Sequence, residues 1–545
     1  MGDSANFKYC FHEVGDPFQA NQRYRFWGDN LQRSMLERLG PLTRLGIQDM
    51  LAEEDDSLRK MGGFQLPSQG ASDSLIKSFE KYSYPVFPLF NWNDFHARYS
   101  TGALSLLFLN ALYMVATFHC PEQVLRDAGF SCRYLAGLTF YRRAKALYDS
   151  DNETDGVTTV QASILLSNWW GGPMEQKDTW YWLGVAANLA QSLGMHRHQQ
   201  VWRRTWWVLY INDIHHAAVY GRPPHIHPSF CDIATIHDDD FHGCNPTSEI
   251  GPACDQHPES EDYLIHLADL ITRGKCLSST ERNTAANAET YSELLKWEDT
   301  LPPAFRNTTS NISADRGFWP SLINLLYHEY QIVFYRMLSE SPITVGLESP
   351  LFHSAGKITR ILEDLLASGT LYSAPFMILP AIFASALVCI INLRNGTPDI
   401  CIVSKNRTNL AMQILNGFQD TWPIASWTRH LLDELLKISS ESEKSDHPMP
   451  PAGRESFPAS VPAPNDPNYA PAGSGGGESS YSTYTGPAGI LSPLQSTSAT
   501  DTGTGIGTET NLFPYDLAEN LLSEVPPALF PFTSLFQDVG LDEEY

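Results

Sequence analysis

The chain has 545 residues, 42% of them hydrophobic, enough to bury a sizeable core in two or three ordinary domains or in one large body with polar ends. Its formal net charge of −25 excludes a broad electrostatic surface for phosphate backbones, so any contact with DNA has to be local or supplied by another protein. Nine scattered cysteines with no Cys-x-x-Cys pair exclude a structural zinc array of ordinary spacing and point to reduced thiols in an intracellular compartment.

The first residues, MGDSANFKYCFHEVGDP, lack a basic start followed by an apolar run, so no secretory signal is expected and the sequons at Asn307 and Asn311 read as ordinary polar residues. Residues 1–72 mix charges with Gly and Pro around an amphipathic piece, Leu31 to Leu39, and read as a lead-in with a linker. From Ser72 the segment SDSLIKSFEKYSYPVFPLFNWNDFHARY begins helically and turns at Tyr84-Pro85 and Phe87-Pro88. It resumes after Asn91 or Asn93, either of which can cap a helix. An almost wholly apolar helix over Ala103–Phe118 and one with a basic outer face over Phe130–Tyr148 follow.

The stretch from Gln161 to Asp232 is rich in tryptophan. A helix from near Val157 ends at Trp170 before Gly171-Gly172-Pro173. Asp178 then caps a helix whose apolar residues Trp182, Val185, Ala186, Leu189, Ala190 and Leu193 keep one face, with Gly194 at the position of a terminating glycine. The next runs from about Val201 to Tyr220, with Trp206, Leu209, Tyr210, Asp213, Ile214 and Ala217 on one face, and Gly221-Arg222-Pro223-Pro224 stops it. Helical patterns return at 262–277, 283–299, 318–339, 351–367, 376–394, 406–419 and 425–437. No charge occurs from Leu365 to Leu393, but Pro375 and Pro380 leave only about 14 clean residues, which favours a buried helix over a membrane span.

Strand-like alternation is scarce and no repeat is evident, so residues 73–437 are expected to form a single large all-α domain. Residues 438–510, dominated by Ser, Pro, Gly, Thr and Ala, are expected to be a disordered linker, because they cannot bury enough apolar surface to offset chain entropy. Residues 511–545 set Phe513, Leu517, Leu521, Phe530, Phe532 and Phe536 among acidic side chains, the pattern of an acidic-hydrophobic activation segment that would dock on the transcription machinery.

Several anchors, taken in order, resemble the middle regulatory region of fungal zinc-cluster transcription factors. The first is the helix, aromatic-Pro turn and Asp94-Phe95 step. The second comprises Trp180, Gly184, Ala186, Ala190, Leu193, Gly194 and His196. The third comprises Arg203-Arg204, Trp206-Trp207, Asp213, Gly221-Arg222-Pro223 and Cys231-Asp232. Lys296-Trp297 with Leu301-Pro302 and the run LLYHEYQIVFYRM match farther on, so that the resemblance covers roughly 75–340, nearest to cutinase-type regulators. It implies a nuclear regulator of RNA polymerase II genes, with control of a specialised-metabolite gene cluster, a homodimer or a heterodimer with a zinc-cluster factor, and a small-molecule effector among its expected attributes. The family's six-cysteine zinc cluster is not matched, since the first sixty residues hold only Cys10 and no basic run. DNA contact is therefore expected through a partner or through a module encoded upstream, and zinc only with that module.

Asp213 interrupts an apolar stripe, where a lone carboxylate would be costly, so a pair with Arg222 or Arg203 is the favoured reading and an effector contact the alternative. The His, Cys and Asp residues around 196–244 are too loosely spaced for a recognised metal site, and no metal is expected. Trp169, Trp170, Trp180, Trp182, Trp202, Trp206 and Trp207 either pack the core or line a pocket. No nucleophile elbow, Walker loop or His-Glu-x-x-His occurs, so an enzyme is not expected; the alternative to a regulator is a ligand-sensing or scaffold protein without a DNA role.

Overall fold

The computed structural model describes residues 41–172, 175–197, 202–241, 258–274, 284–306, 317–338 and 349–445. Among these residues there is no strand, and sixteen α-helices follow one another. They are α1 Pro41–Lys60, α2 Gln69–Ser78, α3 Trp92–Ser100, α4 Leu106–Thr117, α5 Glu122–Asp127, α6 Arg133–Asp149, α7 Gly156–Leu166 and α8 Thr179–Ser192. Then come α9 Arg203–Tyr220, α10 Pro258–Arg273, α11 Thr284–Thr300, α12 Phe318–Leu338, α13 Pro350–Ala367, α14 Ile378–Asn395, α15 Pro398–Phe418 and α16 Pro423–Ser445. The Leu31–Leu39 piece, the linker beyond Ser445 and the acidic segment at 511–545 lie outside the described residues.

The helix starts follow from local chemistry. Asn91, Ser105, Asp155 and Asp178 each accept a backbone N–H of the first turn of α3, α4, α7 and α8, answering donors that a helix start leaves free. Gly194 and Gly221 close α8 and α9 with φ of +78° and +64°, a left-handed conformation that costs a side-chain-bearing residue energy.

Two nearly all-apolar helices organise the packing. The first, α4, is buried over almost its whole length and packs against α2, α6 and α7. The second, α14, is enclosed by α12, α13, α15 and α16. Helices α8, α9 and α10 connect these halves, and Trp422, at the head of α16, lies 4.1 Å from Phe118 at the end of α4, ring centroid to ring centroid. Arg133 closes the end of α4 by donating to the carbonyls of Thr117, Phe118 and Cys120, which have no intrahelical partner. The aromatic-Pro turn is held in the same economical way: the carbonyl of Leu89 accepts from Gln161 Nε2 at 2.6 Å and from Thr205 Oγ1 at 3.2 Å, joining the turn to α7 and α9.

Boundaries differ from the pattern-based expectation in three places. The helical body begins upstream of residue 73, because α1 inserts Leu58 into the core and Arg143 of α6 holds both the carbonyl and the side chain of Gln65. Helix α15 starts at Pro398, where proline at the first position replaces a donor the helix cannot use. Helix α16 runs to Ser445, past the change in composition at Lys437. None of the described helices is long and apolar enough to cross a membrane.

Candidate functional site

The signature residues of α8 and α9 converge on one polar clasp. Asp213 is 1% exposed in the middle of α9. Its Oδ1 meets His225 Nδ1 at 2.8 Å, and its Oδ2 accepts the backbone N–H of Ile226 at 2.9 Å. The expected arginine partners are engaged elsewhere. Arg222 donates to Asp178 at 2.7 Å and Arg203 makes a forked contact with Asp240 at 3.0 and 3.1 Å. The reason is positional: Gly221 turns the chain back, so that His225 and Ile226, rather than the residue next to the helix end, face the middle of α9.

The remaining anchors close around this pair. Asp178 divides its oxygens between the Tyr181 N–H, as the cap of α8, and Arg222. Trp180 lies 4.5 Å from the His225 ring, centroid to centroid, donates Nε1–H to the carbonyl of Pro223 at 3.1 Å, and carries the Arg222 guanidinium on its face. Gly184 is required by contact rather than by backbone conformation, since a Cβ there would sit 2.7 Å from His225 Nε2. Trp207 donates to the carbonyl of Ala234 at 2.9 Å, and Asp232 is joined to the end of α8 by Arg197 and by its own N–H to the His196 carbonyl. Arg204 is half-buried on the first turn of α9, and Gly194 ends α8 as described above.

The tryptophans separate into distinct roles. Trp182 and Trp206 are wholly enclosed, Trp169 and Trp207 nearly so, and Trp202 is half-buried against the same core. Trp180 belongs to the clasp, and Trp170 alone of the seven borders the cavity between α9, α14 and α16.

A second polar cluster lies deeper and was not singled out from sequence. Glu329 of α12 is 1% exposed with both carboxylate oxygens lacking a hydrogen-bond partner, and burial holds its pKa well above the usual 4.5. Nearby, His215 of α9 meets the Tyr330 hydroxyl at 3.4 Å, and burial pushes its pKa down to about 4. Burial does the same to His119 and His328. The signal available in the sequence was a lone carboxylate inside the apolar run LLYHEYQIVFYRM. Among the described residues no group of three or more His, Cys, Asp or Glu side chains could hold a metal ion; His242 and Cys244 lie outside them.

Residues 76–308 match the profile of the fungal specific transcription factor domain. The chain is 27% identical over 426 residues to cutinase transcription factor 1 alpha of Fusarium vanettenii, covering 72% of this chain and 46% of that protein. It is 26% identical over 407 residues to the acetamidase regulatory protein of Aspergillus fumigatus, covering 69% and 50%. A 170-residue segment, 30% of this chain and 26% of the relative, is 28% identical to the fusaric acid cluster transcription factor of Fusarium oxysporum f. sp. lycopersici. The chain spans about half the length of the first two relatives, and no solved structure matches it.

Three outcomes follow. Asp213→Ala strands the His225 ring nitrogen and the Ile226 N–H in the interior and should lower stability by about 2–5 kcal/mol, against less than about 1 kcal/mol for Arg222→Lys at a half-exposed pair; equal denaturation midpoints for the two variants would count against the clasp. Gly184→Ala should cost about 1–3 kcal/mol in the native background and much less beside His225→Ser, because the clash is with that ring; additive losses in a double-mutant cycle would contradict the contact. For Glu329, a raised folded pKa means that its contribution is intact below its unfolded value near 4.5 and is lost as pH rises towards the folded value. Glu329→Gln should therefore raise the melting temperature at pH 7 to 8 by several degrees and leave it nearly unchanged below about pH 4.5, the histidines cancelling in the comparison. A gain that is constant with pH would show that ionisation is not its cause.

Proposed function

Since its helical body carries a fungal specific transcription factor domain and the chain belongs with the fungal transcription factors, we propose that it regulates transcription of RNA polymerase II genes. The observation that carries this reading is the match of residues 76–308 to the fungal specific transcription factor domain, a range that contains the clasp between α8 and α9. The relatives to which it is similar carry names that describe transcriptional regulators. A relative named for the fusaric acid cluster supports a specialised-metabolite gene cluster as the target.

The chain's net charge of −25 argues against a broad surface of its own for a phosphate backbone. DNA contact falls to a zinc-cluster partner, in a heterodimer or beside a second copy of this chain, or to an N-terminal zinc cluster beyond these 545 residues. Activity would be exercised in the nucleus, with no catalytic step in the chain. The C-terminal segment supplies the output: beyond Arg454 there is no Lys or Arg, and the aromatic and leucine side chains stand among carboxylates that keep them accessible to a coactivator groove.

Residues 438–545 fused to a heterologous DNA-binding domain should activate a reporter, and alanine at Phe530, Phe532 and Phe536 should remove most of that activity. A silent wild-type fusion, with the protein present at normal abundance, would count against an activator.

A further inference from the structure

A cavity of about 100 Å³ opens between the Asp178–Arg222 end of the clasp and the helices α14 and α16. Five aromatic rings border it: Trp170, Tyr220, Phe376, Phe383 and Trp427. The two indoles face it from different elements, with centroids 6.4 Å apart and planes inclined by 48°. Aromatic faces present negative charge to whatever lies over them, so a wall of this kind favours a cation.

The polar groups of the lining point the same way. Arg222, its one permanent cation, is already held by Asp178 at 2.7 Å. Glu175 also lines the cavity; its backbone N–H donates to the Gly172 carbonyl, while its carboxylate has no hydrogen bond or ion pair with a described residue. Its carboxylate lies over Gly171, where a Cβ would come within 2.7 Å of Oε2, so the absence of a side chain there lets the acid reach the rim. His216 contributes a ring nitrogen, Nε2, that is buried without a partner. Burial together with the nearby Arg222 holds its pKa well below 6.5, so the ring is neutral and in one tautomer offers a lone pair at Nε2. The Thr428 hydroxyl, a further lining group, is spent on the Ile424 carbonyl at 2.8 Å. Glu175 and His216 thus place two acceptors on the cavity, and the formal charge of the lining is that of one carboxylate.

We propose that this cavity binds a small primary amine, whose ammonium donates to the Glu175 carboxylate and His216 Nε2 while its apolar portion lies against Trp170, Phe383 and Trp427. An anionic ligand would meet an arginine that is already neutralised and a carboxylate that repels it. A neutral apolar ligand would leave His216 Nε2 without a partner. The assignment does not depend on the transcriptional reading, because binding is measured without DNA or a reporter.

Calorimetric titration of the full chain with phenethylamine, against phenylpropionate and phenylethanol as charge-reversed and neutral analogues of similar shape, tests it. Saturable binding of the amine alone is expected, weakened roughly tenfold or more in Glu175→Gln, the loss of one charge-assisted hydrogen bond. Glu175 is a partly exposed loop residue, so this variant should keep the wild-type melting temperature, which separates lost binding from lost folding. Equal or tighter binding of phenylpropionate or phenylethanol, unchanged amine affinity in Glu175→Gln, or no saturable binding of the amine would overturn the proposal.

Discussion

A single buried carboxylate sets the course of the chain at the centre of this body. Asp213 is enclosed among apolar side chains of α9, and a charge so placed is tolerable only if each oxygen is answered by a donor. The donors come from His225 and Ile226, so the chain must leave α9, reverse at left-handed Gly221 and return past two prolines. Once it does, the His225 ring is pressed onto α8, where only glycine fits at position 184, and Trp180 covers it from the side. Asp178 then serves twice, capping α8 and fixing Arg222. Two helices and a loop are thus registered by the desolvation cost of one side chain.

What could be read from sequence divides along a physical line. Helix type and ends depend on nearby residues, and the caps at Asn91 and Asp178 and the stops at Gly194 and Gly221 were legible because spacing and capping are local. The burial of Asp213 was legible too, from its place on an apolar stripe. Its partner was not: charge complementarity favours arginine, and nothing local reports that Arg222 would be taken by a helix cap 44 residues upstream. The same limit applies to the tryptophans. Trp170 differs from its enclosed neighbours only because α14 and α16, some two hundred residues later, stop short of covering it, and no pattern within the segment encodes that. The early start of the body at α1 is not legible because that helix is mostly polar and, among its described side chains, places only Leu58 in the core.

The distribution of buried polar groups also has a pattern. Asp213 is fully answered, whereas Glu329, with its two bare oxygens, is not. Satisfied groups of the first kind specify a unique arrangement, since any shift leaves several donors stranded at once. Glu329 differs, since burial raises its pKa well above 4.5 and so favours the neutral carboxyl. The clasp is therefore the part of the interior where hydrogen bonds fix geometry, whereas Glu329 is enclosed without them.

The cavity borders the clasp on one side only, and that position has a thermodynamic consequence. One side is the clasp end, held by Asp178 and Arg222; the other is built from α14 and α16, which meet the N-terminal half through contacts such as Trp422 with Phe118. Any molecule that binds only when both sides are in place stabilises their contact by mass action, in proportion to its occupancy. Such a molecule needs no second site to act, because α16 itself supplies Ile424, Trp427 and Thr428 to the lining, so that binding favours the docked arrangement of that helix. A body organised by one well-answered charge can thus gain stability from a bound molecule without any change at the clasp that defines it.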